Sequence, residues 1–318
     1  MTIYPVIIAT LCRYEHFRKC IESLSKCTLA DQTELVIGLD YPLTESHSVG
    51  YHKIVAYLDK ISGFRKVTIF KTDTNLGSSK NFKRLYEYAY SKYDAVIMTE
   101  DDNIFSPCFL EYMNKALNIY KSDEKVLSVS GYTALTYYNR SVNPIILTYD
   151  VSAWGTGYWK HKSNVYFDKS PSYYKSIALS FKSMLQVYSV YPRLLSMLIY
   201  MLKNNLRWGD TEKSTYNIIN KVYQLRPSQS LVRNIGQDGS GLHSGVDYDI
   251  MNQEISSANH FYFRDGDTII NLLSETKIIQ KGSFTLGMPK SKFRLIGSLV
   301  KIFMEWCIYI LHFNCSKN

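Results

Sequence analysis

The sequence has no paired cysteines. Its six cysteines, spread over 318 residues, form neither a CxxC pair nor a zinc-finger spacing. We therefore expect no disulfide framework and no cysteine-bound metal, and a reduced, cytoplasmic setting is favoured. The N-terminus lacks a basic segment followed by a long apolar stretch and a cleavage site, so we expect no signal peptide.

No recognisable nucleic-acid-binding motif accompanies the basic charge of the chain. The net charge is +9, and residues 277–318 carry seven Lys or Arg against a single Glu. A basic segment beside apolar residues favours an anionic membrane surface as partner, at about 1 kcal/mol per residue near the headgroups. Nucleic acid is not expected as a partner because no motif supports it.

An apolar run free of charge and long enough to span a bilayer is also missing. Residues 295–313 are strongly apolar, but Lys301 and Glu305 interrupt them, and a charge near the bilayer centre costs roughly 3 kcal/mol. We therefore expect a basic amphipathic helix that lies in the headgroup plane, peripheral on the inner face of the cell membrane. Docking of this helix on the protein's own core is the alternative. The residues expected on the lipid-facing side are Leu295, Leu299, Ile302, Trp306 and Ile310.

Strand-like apolar runs alternate with helical periodicity in the first 131 residues. The alternation predicts an α/β fold with a mainly parallel central sheet, flanked by helices and joined by right-handed crossovers. Beyond Gly131 the sequence becomes tyrosine-rich and irregular. The predicted strands of the first part cover residues 4–11, 34–39, 66–71, 96–98 and 125–131.

Three consecutive acids, Glu100, Asp101 and Asp102, follow the fourth predicted strand. Ligands bind at the carboxyl ends of strands in open α/β sheets, and adjacent carboxylates there suit a hard divalent cation with a pyrophosphate. The alternative is that one acid caps the next helix. Ser106 and Pro107 already offer that helix an N-cap hydroxyl and a proline at its first position. The triplet therefore predicts a metal site.

Other polar residues also follow strand ends or lie in glycine-rich segments. Arg13 could pair with a phosphate or stack on a base, or be a solvated helix-start arginine. Asp40 could accept hydrogen bonds from a base or ribose, or form an Asx turn. His243 lies in the glycine-dense segment 236–245, which could cover a phosphate, and is either a metal ligand or solvated.

Aromatic residues and one further acid complete the set of candidates. Residues 152–159 contain two tryptophans, one tyrosine and two glycines. Trp154 and Gly155 could belong to a flat platform for a sugar ring, with core packing as the alternative. Asp210 is placed either to cap a helix or to face a pocket, and periodicity does not decide between the two.

In their order, these motifs resemble the nucleotide-sugar-dependent glycosyltransferases of the GT-A fold, especially the bacterial family 2-like enzymes that build surface polysaccharides. The motif order is also similar to that of N-acetylglucosaminyltransferase I. The resemblance covers residues 4–245. The segments that carry it are Glu100-Asp101-Asp102, residues 152–159, Trp208-Gly209-Asp210 and residues 234–243.

The resemblance implies a Rossmann-like GT-A fold and a role for each candidate residue. Asp102 and His243 would bind Mn²⁺ or Mg²⁺, and Asp210 would be the catalytic base. The donor would be a nucleotide-sugar, with a UDP-sugar as the first candidate. The residues expected to bind it are Arg13, Asp40, Glu100 and Asp101, with the platform residues Trp154 and Gly155.

The implied reaction is inverting transfer of a sugar to a saccharide acceptor, lipid-linked because of the membrane-seeking C-terminus. A retaining GT-A enzyme and a non-catalytic, membrane-associated sugar-binding protein are the alternatives. Residues 1–131 would form the nucleotide-sugar-binding half, 132–260 the acceptor-binding and catalytic half, and 261–318 a C-terminal extension. The sequence departs from the family at Thr156, where a second tryptophan is more common, and through residues 160–205, where no acceptor motif matches.

Overall fold

The computed structural model describes residues 1–134, 145–167, 169–241, 245–257, 261 and 291–315. Its centre is one eight-stranded, mixed but mostly parallel sheet with helices packed against it. The predicted fold class, an α/β protein with a mainly parallel central sheet flanked by helices, is confirmed.

The first hundred residues alternate strictly between strand and helix. Strand β1 pairs in parallel with β2 and with β4, and β2 pairs in parallel with β3. Strand β2 is buried along its whole length, as expected for a strand covered on both faces. The elements are β1 (Val6–Thr10), α1 (Tyr14–Leu24), β2 (Glu34–Leu39), α2 (Glu45–Leu58), β3 (Lys66–Lys71), α3 (Ser78–Tyr90) and β4 (Ala95–Glu100).

The next strands extend the same sheet and cross the predicted boundary at residue 131. Strand β8 lies antiparallel between β4 and β6, β9 runs parallel to β6, and β7 closes the edge antiparallel to β9. Strands β5 and β10 form a separate antiparallel ribbon. The division into functional halves stays a prediction. The elements are β5 (Asn103–Phe105), α4 (Phe109–Ile119), β6 (Val126–Ser130), β7 (Ile145–Thr148), β8 (Thr156–Trp159), α5 (Lys160–Phe167), β9 (Tyr223–Pro227) and β10 (Val232–Asn234).

A second hydrophobic core lies among helices of the C-terminal part and contains Leu195, Leu198, Ile302 and Trp306. It is built by α6, α7, α8 and α9 together with the last helix, α11, which packs mainly along α8. The helices of this region are α6 (Pro171–Leu179), α7 (Phe181–Val190), α8 (Pro192–Lys203), α9 (Gly209–Asn220), α10 (Tyr248–Met251) and α11 (Lys292–Cys315).

Two local predictions are incomplete or wrong. Helix α4 has Cys108 as its N-cap residue and no side-chain cap, because the Ser106 hydroxyl instead donates to the Ser256 carbonyl. The apolar spacing of residues 172–204 predicts helical structure broken at Pro192, and the structure has a further break at Ser180, whose hydroxyl caps α7. The further break escaped prediction because a serine N-cap carries a weaker sequence signal than a proline does.

The face of α11 that was expected to meet lipid faces the protein instead. Ile302 and Trp306 are buried in the second core, and Ile310 packs against it. The apolar residues that define this face satisfy a protein core as well as they would satisfy a bilayer, and helical periodicity does not distinguish the two environments. Docking on the domain, the alternative left open above, is what the structure shows.

Candidate active site

The acidic triplet lies at the carboxyl edge of the sheet. Glu100 is the last residue of β4, and Asp101 and Asp102 form the turn before β5. Strand β1 ends beside β4 because the two are parallel neighbours. Thr10, at the end of β1, donates from its hydroxyl to Asp101 Oδ2 over 2.8 Å. The edge therefore gathers polar groups from two strands.

Arg13 is the charge partner of this cluster. Its Nη2 lies 2.5 Å from Asp101 Oδ1 and 2.9 Å from Asp102 Oδ2. Burial raises the pKa of Asp101, and the Arg13 guanidinium acts in the opposite direction. One guanidinium thus stabilises two buried carboxylates. The predicted contact of Arg13 with the donor stays a prediction.

Asp102 is also held from the other side by the ribbon of β5 and β10. The Asn234 amide donates to Asp102 Oδ1 over 2.6 Å, and the Ile235 N–H donates to the Asp102 carbonyl over 2.8 Å. A Cβ atom at Gly236 would overlap Asp102 Oδ2, so only glycine lets the chain pass this close to the carboxylate. The segment that follows β10 therefore packs directly onto the acids.

Glu100 is the most perturbed acid of the site. Its Oε2 accepts a 3.0 Å hydrogen bond from the Trp154 indole N–H. Burial raises the pKa of Glu100 to about 8, with further contributions from the carboxylates of Asp102, Asp210 and Asp101, while the indole N–H opposes the shift. Glu100 thus holds a proton more readily than its neighbours do.

Asp210 lies in the first turn of α9, and its charge is felt by Glu100. Trp208 is the N-cap residue, so the capping alternative for Asp210 is wrong. The backbone N–H of Ala153, the residue before Trp154, lowers the pKa of Asp210. Residues 153 and 154 therefore act on both carboxylates, on Asp210 through a backbone dipole and on Glu100 through the indole hydrogen bond.

Lys213 provides the positive charge next to Asp210. Asp210 is exposed to solvent on part of its surface. The protein around its carboxylate nevertheless reduces the solvation of the charge and raises the Asp210 pKa, and the Lys213 ammonium opposes this shift. Burial lowers the pKa of Lys213, with Asp210 acting in the opposite direction. The ammonium also donates to the Tyr158 hydroxyl over 3.1 Å. An accessible carboxylate with a raised pKa is suited to take up a proton.

A buried ion pair lies behind Asp210 and was not predicted. Arg226, on β9, has no exposed surface; its Nη1 lies 3.2 Å from Asp150 Oδ2, and its Nε donates to Gln224 Oε1 over 2.9 Å. Both charges act on Asp210, since Asp150 raises its pKa and Arg226 lowers it. The one sequence signal was an arginine inside a strand-like run, and periodicity alone does not reveal its partner.

The other candidates lie apart from this contact network or outside the described residues. Asp40 is buried, and its oxygens accept from the N–H groups of Leu76 and Gly77 over 2.8 and 2.9 Å, so it holds the turn before α3. Gly155 has a positive φ of 62° and supports the turn that presents Trp154. Trp159 is fully buried, as the core-packing alternative had it. His243 lies outside the described residues.

The donor chemistry of the acids fits a divalent cation bound together with phosphates. Carboxylate oxygens are the hard ligands that Mg²⁺ and Mn²⁺ prefer, and Mg²⁺ is commonly held by one or two carboxylates plus substrate phosphates. Within the described ranges no three His, Cys, Asp or Glu side chains form a ready metal cage. In this structure the Asp102 oxygens contact Asn234 and Arg13, and the predicted role of Asp102 as a metal ligand stays a prediction.

Comparisons with known proteins give structural likenesses only. No protein-family model matches the sequence, and no curated protein matches it. Solved structures that match include S. aureus TarS, at 15% identity and TM-score 0.37 over 52% of this chain, and TarS 1-349, at 12% identity and TM-score 0.39 over 99%. A third is the mannosyltransferase PcManGT from Pyrobaculum calidifontis in complex with GDP-Man and Mn²⁺, at 13% identity and TM-score 0.37 over 50% of this chain.

The lengths covered in these proteins differ. The match spans 29% of TarS, 45% of the mannosyltransferase and 92% of TarS 1-349. At such identities and TM-scores the likeness assigns no activity, so the function has to be argued from the site itself.

Proposed function

We propose that the protein is a glycosyltransferase that uses a nucleotide-sugar donor and inverts the anomeric configuration, with Asp210 as general base. The observation that carries the proposal is that Asp210, in the first turn of α9, lies close enough to Glu100 at the end of β4 for its charge to raise the Glu100 pKa, while Trp154 donates to Glu100. A base on α9 would thereby lie beside a donor site at the end of β4.

The donor site is formed by the acidic edge. Asp101 and Asp102 would face the ribose and diphosphate of the donor, and the Trp154 ring would lie beside the sugar. When bound at Asp102, Mn²⁺ or Mg²⁺ would neutralise the diphosphate leaving group. Arg13 would orient the two aspartates, since its guanidinium contacts both of them.

Asp210 would remove the proton from the acceptor hydroxyl as that hydroxyl attacks the anomeric carbon from the side opposite the diphosphate. Its raised pKa favours this role because a base titrating closer to neutral pH accepts a proton more readily. Lys213 would then stabilise the carboxylate when the proton leaves again. General-base help of this kind contributes typically about 10²- to 10⁴-fold in rate.

A cavity of about 670 Å³ supports a lipid-linked saccharide as acceptor. Its lining includes Arg207, which pairs with Glu212, and Ile308 and Phe313 on α11. Lys175 and Lys203 also line it, so the cavity combines cationic and apolar surface. Such a lining suits an amphiphile that carries phosphate next to an apolar chain.

The test is Asp210→Asn, assayed with UDP-, GDP- and dTDP-sugars in the presence of Mn²⁺. We expect turnover to fall at least about 100-fold, while nucleoside diphosphate binding measured by calorimetry is unchanged. The matched control is Asp31→Asn, which removes an exposed carboxylate remote in sequence from Asp210 and should leave turnover and diphosphate binding unaffected.

Three results would contradict the proposal. Near-normal turnover of Asp210→Asn excludes Asp210 as the base. A product whose anomeric proton shows retained configuration by NMR favours the retaining alternative. Absence of turnover and of diphosphate binding in the unmodified protein favours a non-catalytic sugar-binding protein.

A further inference from the structure

Helix α11 has two apolar faces, of which one is covered by the described part of the chain. On the inner face, the Tyr188 hydroxyl donates to the Leu299 carbonyl over 3.0 Å, and the Trp306 indole N–H donates to the Ala178 carbonyl over 2.8 Å. Ser196 donates to Glu305 Oε2 over 2.7 Å. These contacts attach the middle of α11 firmly along the domain.

The outer face of α11 is apolar and exposed along the length of the helix. Its six residues recur every three or four positions and therefore form a single stripe. In the part of the chain that the structure describes, nothing covers them: Phe293 is 90% exposed and Leu311 is 64% exposed. We call this stripe the outer apolar face; it consists of Phe293, Ile296, Val300, Met304, Ile308 and Leu311.

Exposed apolar side chains also lie on α7, which contacts α11. Phe181 is 57% exposed, and its ring centroid lies 5.8 Å from that of Trp306. Leu185 follows one turn later and is also exposed. Monomeric soluble proteins rarely expose apolar patches that extend this far, and larger ones mark sites of interaction with a protein or a membrane.

Basic side chains follow one edge of the outer apolar face. Arg294 and Lys301 are separated by seven residues, and Lys301 and His312 by eleven, so all three lie on one line of the helix. All three are exposed, as is Lys182 on α7. An apolar stripe with a cationic border is complementary to an anionic lipid surface, which offers phosphates above hydrocarbon.

The length and composition of residues 292–313 also meet the criterion for a membrane span. Crossing a bilayer would, however, require the helix to give up its inner contacts and expose Glu305 to hydrocarbon. Keeping those contacts leaves one face for lipid, which is the geometry of a helix parallel to the membrane plane.

We propose that the outer apolar face and its basic border dock the folded domain onto an anionic phospholipid bilayer, with α11 parallel to the surface. The lipid-facing side is thus opposite to the side that periodicity favoured. This inference does not rest on glycosyl transfer, although it would bring the cavity beside α11 close to lipid-linked molecules.

The first test is flotation of the full chain with vesicles of phosphatidylcholine, with and without phosphatidylglycerol. We expect the unmodified protein to float with the anionic vesicles, and the double variant Ile296→Glu/Val300→Glu to stay unbound. The matched control is Val49→Glu/Ile119→Glu, which places the same charges at exposed apolar positions on α2 and α4. This control should float like the unmodified protein.

The second test isolates the basic border. Arg294→Ala/Lys301→Ala should weaken binding to the anionic vesicles about 30-fold, as expected for two basic residues near a lipid surface. Lys53→Ala/Lys60→Ala, which removes equal charge from exposed positions on α2 and just after it, should leave the affinity within about twofold. Equal loss in both variants would overturn the proposal, because it would show attraction by net charge alone.

Other outcomes would also overturn it. If the unmodified protein floats with neither kind of vesicle, the outer apolar face is not a lipid-binding surface. If the protein without lipid is a dimer that Ile296→Glu/Val300→Glu dissociates, the occupant is a second copy of the chain. If bound protein resists alkaline carbonate extraction, the helix spans the bilayer. Thermal melting of each variant confirms that the domain is folded, and none of these readouts depends on sugar transfer.

Discussion

Replacing Arg13 with glutamine should destabilise the protein and make its stability depend on a divalent cation. The guanidinium contacts Asp101 over 2.5 Å and Asp102 over 2.9 Å, and both acids are largely buried. Breaking a buried pair costs about 3–5 kcal/mol. The Arg13 side chain is 23% exposed, so we discount this to about 2–4 kcal/mol because water screens part of the interaction.

The assay is thermal unfolding of Arg13→Gln in EDTA and in Mn²⁺. A loss of about 2–4 kcal/mol corresponds to a drop in Tm of roughly 3–6 °C for a chain of this size. Mn²⁺ should raise the Tm of the variant by more than it raises the Tm of the unmodified protein, because the cation substitutes for the missing positive charge. Binding at 100-fold above Kd adds about 2.7 kcal/mol.

Arg18→Gln is the matched control. Arg18 lies on the same helix and pairs with Glu15 and Glu22, but these partners are exposed, and surface pairs contribute about 0–1 kcal/mol. If Arg13→Gln and Arg18→Gln melt at the same temperature, the buried pair does not hold the acidic edge together. If Mn²⁺ raises the Tm of Arg13→Gln no more than that of the unmodified protein, the acids are not a cation site.

Three further substitutions test separate parts of the structure. Gly236→Ala should weaken Mn²⁺-dependent UDP binding about 10- to 100-fold in calorimetry, because the new Cβ atom would displace Asp102. The control Gly245→Ala should leave binding unchanged, because no described atom lies within 4 Å of its new Cβ atom. Lys162→Met should cost about 2–3 kcal/mol in urea unfolding, since the ammonium donates to three carbonyls; an unchanged midpoint would show these bonds to be dispensable. Burial raises the pKa of Glu100 from 4.5 to about 8, so the folded state binds the extra proton and stability falls as pH rises between these values. Glu100→Gln should therefore melt above the unmodified protein at pH 8 in EDTA but not near pH 4, and a gain independent of pH would contradict this.

The first part of the fold could be predicted because its signals are local. Strands β2 and β3 begin and end where the apolar pattern does, and the helix after β1 buries Phe17, Cys20 and Ile21 as periodicity indicated. Parallel strands joined by helices place every strand end at one edge, so the carboxyl-edge position of Glu100 followed from chain order. The antiparallel insertion of β8 between β4 and β6 carried no such signal, because pairing partners far apart in sequence are set by packing.

The same contrast holds within the candidate site. The sequence singled out the acidic triplet, Trp154 and Asp210, and their roles stay predictions; the structure adds that the charges of Asp101, Asp102 and Asp210 act on Glu100. The hydrogen bonds of these residues were not found from the sequence, and neither was the buried pair of Asp150 and Arg226. Asp150 and Arg226 are 76 residues apart in the chain, and only the tertiary fold brings them into contact.

The sequence by itself determined the alternation of strand and helix, the acidic edge and the amphipathic character of α11, because each follows from the order of neighbouring side chains. The tertiary structure alone decided that Arg13 joins two aspartates, that Trp154 donates to Glu100 while the Asp210 charge acts on it, and which face of α11 is covered. Each of these depends on distances between segments remote in sequence. A helix with two apolar faces can bury only one of them against a given domain, and packing against α8 decides which.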